Sequence, residues 1–250
     1  MEFRTLKAEE IDCRVSQISY NYCTLLLYKD ARVDQNILDE TVGSMNWQKR
    51  YVRDNANCIV GIWDNEKGQW VEKEDTGTES FSEAEKGLAS DSFKRACFNW
   101  GIGRELYTAP NILIFPNKNM IPKGKDSEFF EYKEGKYTTK TRFYVDYIDY
   151  DENRNIKDLV IRDNKGNPRF EELTNDTAKL LSKEFDKLCK LIEKNEENDE
   201  KFDREEFYKY FKVSSNLQLN SKQRIEAIHL LEKRLKKWKK YINLKKTNLL

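Results

Sequence analysis

Apolar positions along the chain come first in short runs separated by turn-rich polar stretches, and later at helical spacing. The run Thr24-Leu25-Leu26-Leu27-Tyr28 is bounded by polar residues, which predicts a buried strand. Over residues 32–42, Val33, Ile37, Leu38 and Thr41 recur at helical spacing, and Gly43 is placed to end that helix because glycine enters the left-handed cap freely. Residues 47–53, 58–63 and 70–74 are strand-like, with turn chemistry in Asp54-Asn55-Ala56-Asn57 and Asp64-Asn65-Glu66-Lys67-Gly68 between them. Strands joined by turns this short pair antiparallel, so the three form a meander. Ser82-Glu83-Ala84-Glu85 then opens a long helix as a capping box. Ala89, Phe93, Ala96, Cys97 and Trp100 share one side of that helix and should pack on the sheet; Asp91, Lys94, Arg95 and Phe98 share the other, and Gly101 and Gly103 stop it.

Further on, residues 142–150 and 156–162 flank Asp151-Glu152-Asn153-Arg154-Asn155 as a β-hairpin. Beyond Phe170 the pattern is helical. Leu173, Leu180, Leu181, Phe185, Leu188, Leu191 and Ile192 mark one amphipathic helix, and residues 193–200 (EKNEENDE) form a linker or a solvated helix end. A last helix after Ser221 carries Ile225, Ile228, Leu231, Leu235, Trp238 and Ile242 as its apolar stripe. The expected architecture is α+β: strand and helix, a three-stranded antiparallel meander packed by a long helix, an additional hairpin, and a helical tail. The core with its hairpin is expected over residues 1–170 and a charged helical region over 171–250.

Composition narrows the chemistry. Charged residues make up 36% of the 250, apolar ones 38%, and mean hydropathy is −0.88, yet the formal net charge is only +1. A nucleic-acid surface would therefore need segregated charge rather than a global excess. No stretch approaches the roughly 20 apolar residues of a membrane span, and the mixed-charge start MEFRTLKAEEID lacks an apolar signal core. A cytoplasmic protein without a membrane partner is expected. Cys13, Cys23, Cys58, Cys97 and Cys189 are scattered and form no C-x-x-C pair, and His229 is the only histidine, so neither a zinc site nor histidine acid–base chemistry is favoured. A P-loop is absent, and Gly101-Ile-Gly103-Arg is too short for a dinucleotide fingerprint. Glu131-Tyr132-Lys133 and Glu134-Gly135-Lys136 fit the E-x-K of some metal-dependent nucleases, but they fall in a polar stretch without a preceding strand-end acid.

The most specific block is residues 69–107, QWVEKEDTGTESFSEAEKGLASDSFKRACFNWGIGRELY. A strand ends in Glu74-Asp75-Thr76-Gly77; a helix follows with Lys86-Gly87 early, Ser90-Asp91 midway and Lys94-Arg95-Ala96 late, and Gly101 stops it. This block resembles the Rad fifty-two family of single-strand annealing proteins, and more closely its phage relatives of the Sak type; the resemblance extends over roughly residues 20–115. It implies a β-β-β-α core that assembles side by side into a ring or helical filament. A shared basic groove then holds single-stranded DNA by its backbone and leaves the bases free to pair. The implied activity is ATP-independent annealing in phage or prophage recombination in a bacterial cytoplasm, with no covalent chemistry and no cofactor. A host or phage single-strand-binding protein and a phage exonuclease are the implied partners. The family's DNA-contacting Lys-Arg pair falls on Lys94 and Arg95. A further basic residue one turn on is Phe98 here, so that contact is either lost or replaced by Arg104.

Physical chemistry adds candidates of its own. Lys49, Arg50, Arg53 and Lys73 on the meander could line a facing wall, although strand alternation puts Lys49 and Arg53 on one face and Arg50 on the other. Tyr51, Trp63, Trp70 and Phe98 are candidates for base stacking, against the alternative of core and subunit contacts. The final helix concentrates Lys233, Arg234, Lys236, Lys237, Lys239, Lys240, Lys245 and Lys246, with Glu226 and Glu232 its only acids. Helix-dipole complementarity explains part of that run. The rest suits a second DNA surface, contact with the acidic 193–200 segment of a neighbour, or an ordinary solvated face. The alternatives to an annealing protein are a coating protein that does not anneal, an oligomeric recruitment scaffold, and a metal-dependent nuclease.

Overall fold

A computed structural model describes residues 1–78, 84–116, 124–126, 130–199 and 201–247. In chain order the strands and helices are β1 (Asp12–Ile18), β2 (Cys23–Tyr28), α1 (Ala31–Val42), β3 (Trp47–Val52), β4 (Asn57–Asp64), β5 (Gln69–Thr76) and α2 (Ala84–Asn99). They continue as β6 (Ile112–Ile114), β7 (Glu131–Lys133), β8 (Lys136–Thr138), β9 (Phe143–Tyr150), β10 (Ile156–Asp163), β11 (Pro168–Glu172), α3 (Asn175–Asn198), α4 (Arg204–Tyr210) and α5 (Ser221–Thr247). The fold is α+β. Two compact units share the chain: one of Met1–Ser16, Thr24–Ile112 and Tyr150–Ile156, the other of Gln17–Cys23, Leu113–Asp149 and Lys157–Leu250.

In the first unit β3, β4 and β5 form the antiparallel meander, with Trp47 opposite Ile62 and Cys58 opposite Asp75. α2 packs on β4 and β5 and also meets α1. Val60 and Ile62 of the central strand, Ile37 and Leu38 of α1, and Phe93, Ala96 and Cys97 of α2 are all buried, as the two periodicities require. Gly77, which closes the strand-end motif, lies flat on α2. A Cβ there would stand 2.5 Å from the Ser92 amide nitrogen and 2.6 Å from the Leu88 carbonyl oxygen, so the motif needs glycine for close approach.

A buried ion pair ties β2 to α1. Lys29 donates to Asp34, and their side chains are 3% and 0% exposed. The Lys29 stem crosses Gly103, where a Cβ would sit 2.3 Å from Cε and φ is +78. Burial pushes the Asp34 carboxyl up to about 6, against the opposing pull of the Lys29 ammonium.

The second unit holds the sheet order β9-β10-β11 and the α3–α5 helices. Leu188 and Ile192 of α3 pack with Phe211, Leu219, and Ala227 and Leu231 of α5, with Phe202 and Phe207 alongside. α3 is pinned to β10 at its start: Thr174 caps it, and Asp158 accepts bonds from the amide and hydroxyl of Thr174 and from the Thr177 hydroxyl. α5 is pinned to β9 by Asp146, which accepts from Arg162 Nε at 2.6 Å and from the Ser221 amide at 2.7 Å and lies 4.0 Å from Arg224.

Several expectations need correction. β2 is buried on one side only: Leu25 is buried, whereas Leu26 and Tyr28 are exposed. β1, β11 and α4 were not anticipated, and residues 131–138 form the β7–β8 hairpin where a polar loop was expected. In that hairpin Glu131 pairs with Lys133 and Lys140. Of the two readings of residues 193–200, the solvated helix end holds for 193–198, which continue α3 and are exposed apart from Asn195; that residue is buried and donates to the Leu191 and Leu231 carbonyls. Leu173 precedes α3, and Leu180 and Ile225 face outward instead of joining the apolar stripes. Ser82 and Glu83 of the expected capping box lie outside the described residues, so that start is not seen.

Candidate nucleic-acid interface

On the first unit a groove of about 780 Å³ is bounded by β2, α2 and the 3-10 turn Arg104–Thr108. Four cations line it: Arg14 from β1, Lys94 and Arg95 from α2, and Lys29, which is consumed by its buried pair with Asp34. Three aromatic rings line it: Tyr28 from β2, Phe98 from α2, and Tyr107 from the 3-10 turn. Phe98 and Tyr107 meet edge to face at 4.7 Å between ring centres, and Tyr107 is 77% exposed, so its face is available to a ligand. Leu26 adds an exposed apolar contact, and Leu25 and Ile112 lie buried beneath.

Local structure explains why these side chains converge. In β1 the outward positions Asp12, Arg14 and Ser16 alternate with the half-buried Cys13 and Val15, which turns Arg14 to solvent. On α2, Phe93, Ala96 and Cys97 are buried against the meander, which leaves Lys94, Arg95 and Phe98 toward the groove. Gly101 and Gly103, with φ of +99 and +78, reverse the chain after α2 and bring Tyr107 back beside Phe98.

The cations differ in how far the protein already uses them. Arg14 and Lys94 make no ion pair within 4.0 Å among the described residues. Lys94 lies close enough to Asp30 and Asp34 to help hold both carboxyls in their charged form. Arg95 touches Asp75 through one long contact of 3.4 Å and is exposed, so screening leaves that pair weak and the guanidinium free to exchange partners. Asp91, the groove's acidic lining residue, accepts from the Thr78 amide and hydroxyl at 2.9 and 3.1 Å.

Other expected site residues are placed elsewhere. Arg104 does not stand in for the missing basic residue: its Nε and Nη2 donate to the Phe98 and Asn99 carbonyls at 2.7 and 2.9 Å and so satisfy the C-terminus of α2. Lys73 donates to the same Asn99 carbonyl at 2.8 Å and lies 4.4 Å over the Trp100 ring. Lys49 sits 4.4 Å over the Phe93 ring, and Arg50 pairs with Glu72 at 2.8 Å. Arg53 falls outside β3, in a turn where Arg53, Asp54 and Asn55 all have positive φ, so strand alternation does not govern it. None of Lys49, Arg50, Arg53, Lys73 or Arg104 is among the lining residues of the groove.

Of the other stacking candidates, Trp63 and Trp70 meet edge to face at 5.5 Å across β4 and β5, and Tyr51 is half-buried near Cys58 and Cys97. Arg14, Tyr28 and Tyr107 are the lining residues that sequence reasoning missed. The alternation in β1 and the place of Tyr107 within the 69–107 block were the available signals. Burial pushes the Cys13 and Cys23 thiols up to about 12 and Cys58 up to about 11, which keeps them protonated and unreactive near neutral pH. Comparison with protein-family models, with curated proteins and with solved structures returns no match.

Proposed function

We propose that this chain binds single-stranded DNA along the groove of its first unit and anneals complementary strands without ATP, as a homo-oligomer of the Rad fifty-two/Sak type. The observation that carries this is the convergence of Arg14, Lys94 and Arg95 with Tyr28, Phe98 and Tyr107 in one groove. A sugar-phosphate chain is held chiefly by cations that displace its counterions, and rings of this kind stack on any base without reading sequence. Both features suit a protein that must accept every sequence and leave base edges free. Annealing in this account lowers the electrostatic and entropic cost of bringing two strands together, and no bond is made or broken. The setting proposed is phage or prophage recombination in a bacterial cytoplasm, alongside a single-strand-binding protein and an exonuclease.

The test uses labelled complementary oligonucleotides mixed with the full chain in the absence of nucleotide. Pairing faster than the spontaneous rate is expected, and the Lys94→Glu/Arg95→Glu variant should lose that acceleration while its circular dichroism and oligomer size stay unchanged. Binding without acceleration would leave a coating protein. No binding to single strands would sink the proposal.

A further inference from the structure

We infer that the outward face of α5 is a second nucleic-acid site, a lysine ridge that holds a phosphate backbone independently of the groove in the first unit. At 100° per residue, Lys233, Lys236 and Lys240 fall opposite Ala227 and Leu231, which are buried in the helical core. Lys237 and Lys239 flank them, and all five are exposed. None of the five forms an ion pair within 4.0 Å among the described residues.

Two acids close to the run are already engaged. Glu232 pairs with Lys187 at 2.8 Å, and Asp199 with Arg234 at 2.6 Å. Arg234 is thus consumed by the fold, and the five exposed lysines are left over. The macrodipole does not account for them, because it acts within the last turn. Lys233 precedes Thr247 by about 20 Å at 1.5 Å per residue.

The same geometry selects the occupant. A membrane-surface helix needs an apolar face to insert, and the apolar face of α5 is taken up by α3 and Phe211. Lys233 and Lys237 also border a cleft of about 1080 Å³ with Phe202, Phe207 and Tyr210, which presents Asp203 and Glu206. Those carboxylates offset the cations inside the cleft, whereas residues 236–240 carry no acid, so a strand follows the ridge. Lys233 to Lys240 spans about 10 Å of helix, which matches a few phosphates at about 3.4 Å per stacked nucleotide.

The experiment measures binding of a labelled single-stranded oligonucleotide over a salt series, using the full chain in the Lys94→Glu/Arg95→Glu background. With the groove disabled, residual binding is expected with a log–log salt slope of about −3, the value for four phosphates on single strands. Adding Lys233→Gln, Lys236→Gln, Lys237→Gln and Lys240→Gln should remove that binding, since glutamine is nearly as good a helix former as lysine and circular dichroism should not change. A charge-matched control replaces Lys179, Lys183, Lys190 and Lys194, exposed on α3, with Gln.

Residual binding that survives in the control and disappears in the ridge variant supports the site. Absence of residual binding overturns it, and so does equal loss in the control. Phosphatidylserine vesicles captured through the ridge lysines, with DNA binding unaffected, would overturn it in favour of a membrane surface. Undiminished binding in the Lys94→Glu/Arg95→Glu background that the ridge substitutions then remove would support the ridge and count against the groove.

Discussion

The first unit places cations beside aromatic rings in a groove, whereas the second places lysines along an open helix face. Their use of charge also differs. In the first unit most basic residues near α2 serve the fold: Lys29 neutralises Asp34, and Lys73 and Arg104 satisfy the end of α2. Arg14 and Lys94 make no ion pair among the described residues, and Arg95 is held by one long contact. In the second unit arginines do the structural work at Asp146 and Asp199, while Lys233, Lys236, Lys237, Lys239 and Lys240 make no ion pair among the described residues. Counting charges along a sequence therefore overstates a binding surface. What matters is which cations remain after buried carboxylates and orphan carbonyls have taken theirs.

The largest effect expected is on the second unit's internal charge. Asp146→Ala would strand the buried Arg162 and Arg224 guanidiniums without their carboxylate, and Arg224 already leaves its Nε without a hydrogen-bond partner. Breaking such a group from one side costs about 3–5 kcal/mol. Urea denaturation should register that loss, and a loss under 1 kcal/mol would mean that Asp146 does not hold α5 in place.

Next come the groove cations, set against their spoken-for neighbours. The Lys94→Glu/Arg95→Glu variant should weaken the groove's hold on a single strand by about a hundredfold, or roughly 2.7 kcal/mol, measured against the ridge variant so that only the groove is compared. Lys73→Gln and Arg104→Gln should leave DNA affinity within about twofold and lower stability by about 1 kcal/mol, the usual contribution of a hydrogen bond. The reverse pattern would mean that the α2 C-terminus, and not the groove, is the contact surface.

This contrast also shows what the chain makes legible. α1, the β3–β5 meander and α2 follow from local signals: helical spacing before Gly43, Asn- and Asp-rich turns, and a one-sided apolar stripe around Phe93. Lys94, Arg95 and Phe98 follow from that stripe, because a helix with one face on a sheet must turn the other outward. The partners of Lys73 and Arg104 do not, since each depends on a carbonyl that is free only once α2 ends at Asn99. Arg14 and Tyr107 lie 93 residues apart, a separation read directly from their numbers, and only the folded first unit brings them to one groove. Lys29 and Asp34 look like surface charges in sequence; their burial is a property of the packed α1 and β2.

A smaller effect is expected from pH. The folded-state Asp34 carboxyl titrates at about 6, against about 3.9 in an unfolded chain. The native state keeps a proton that the unfolded chain has already released, so this group's contribution is full below about 3.9 and is lost as pH rises through about 6. Compared with Asp34→Asn, which cannot ionise, the wild type should lose on the order of 2 kcal/mol of relative stability between about pH 4 and pH 7. Parallel stability curves for the two proteins would show that Asp34 does not titrate in this way. Smaller again is Tyr107→Ala, which should cost about 1 kcal/mol of single-strand affinity if one base stacks on its exposed face, with stability unaltered.

The central claim is that a single strand lies in the groove beside Phe98 and Tyr107, and photo-crosslinking tests it most directly. An iodouracil-substituted oligonucleotide would be bound to the full chain, irradiated, and the attached peptides mapped. Crosslinks at Tyr28, Phe98 or Tyr107, abolished by Lys94→Glu/Arg95→Glu, are the predicted result. Crosslinks confined to the second unit, or unchanged in that variant, would contradict the account.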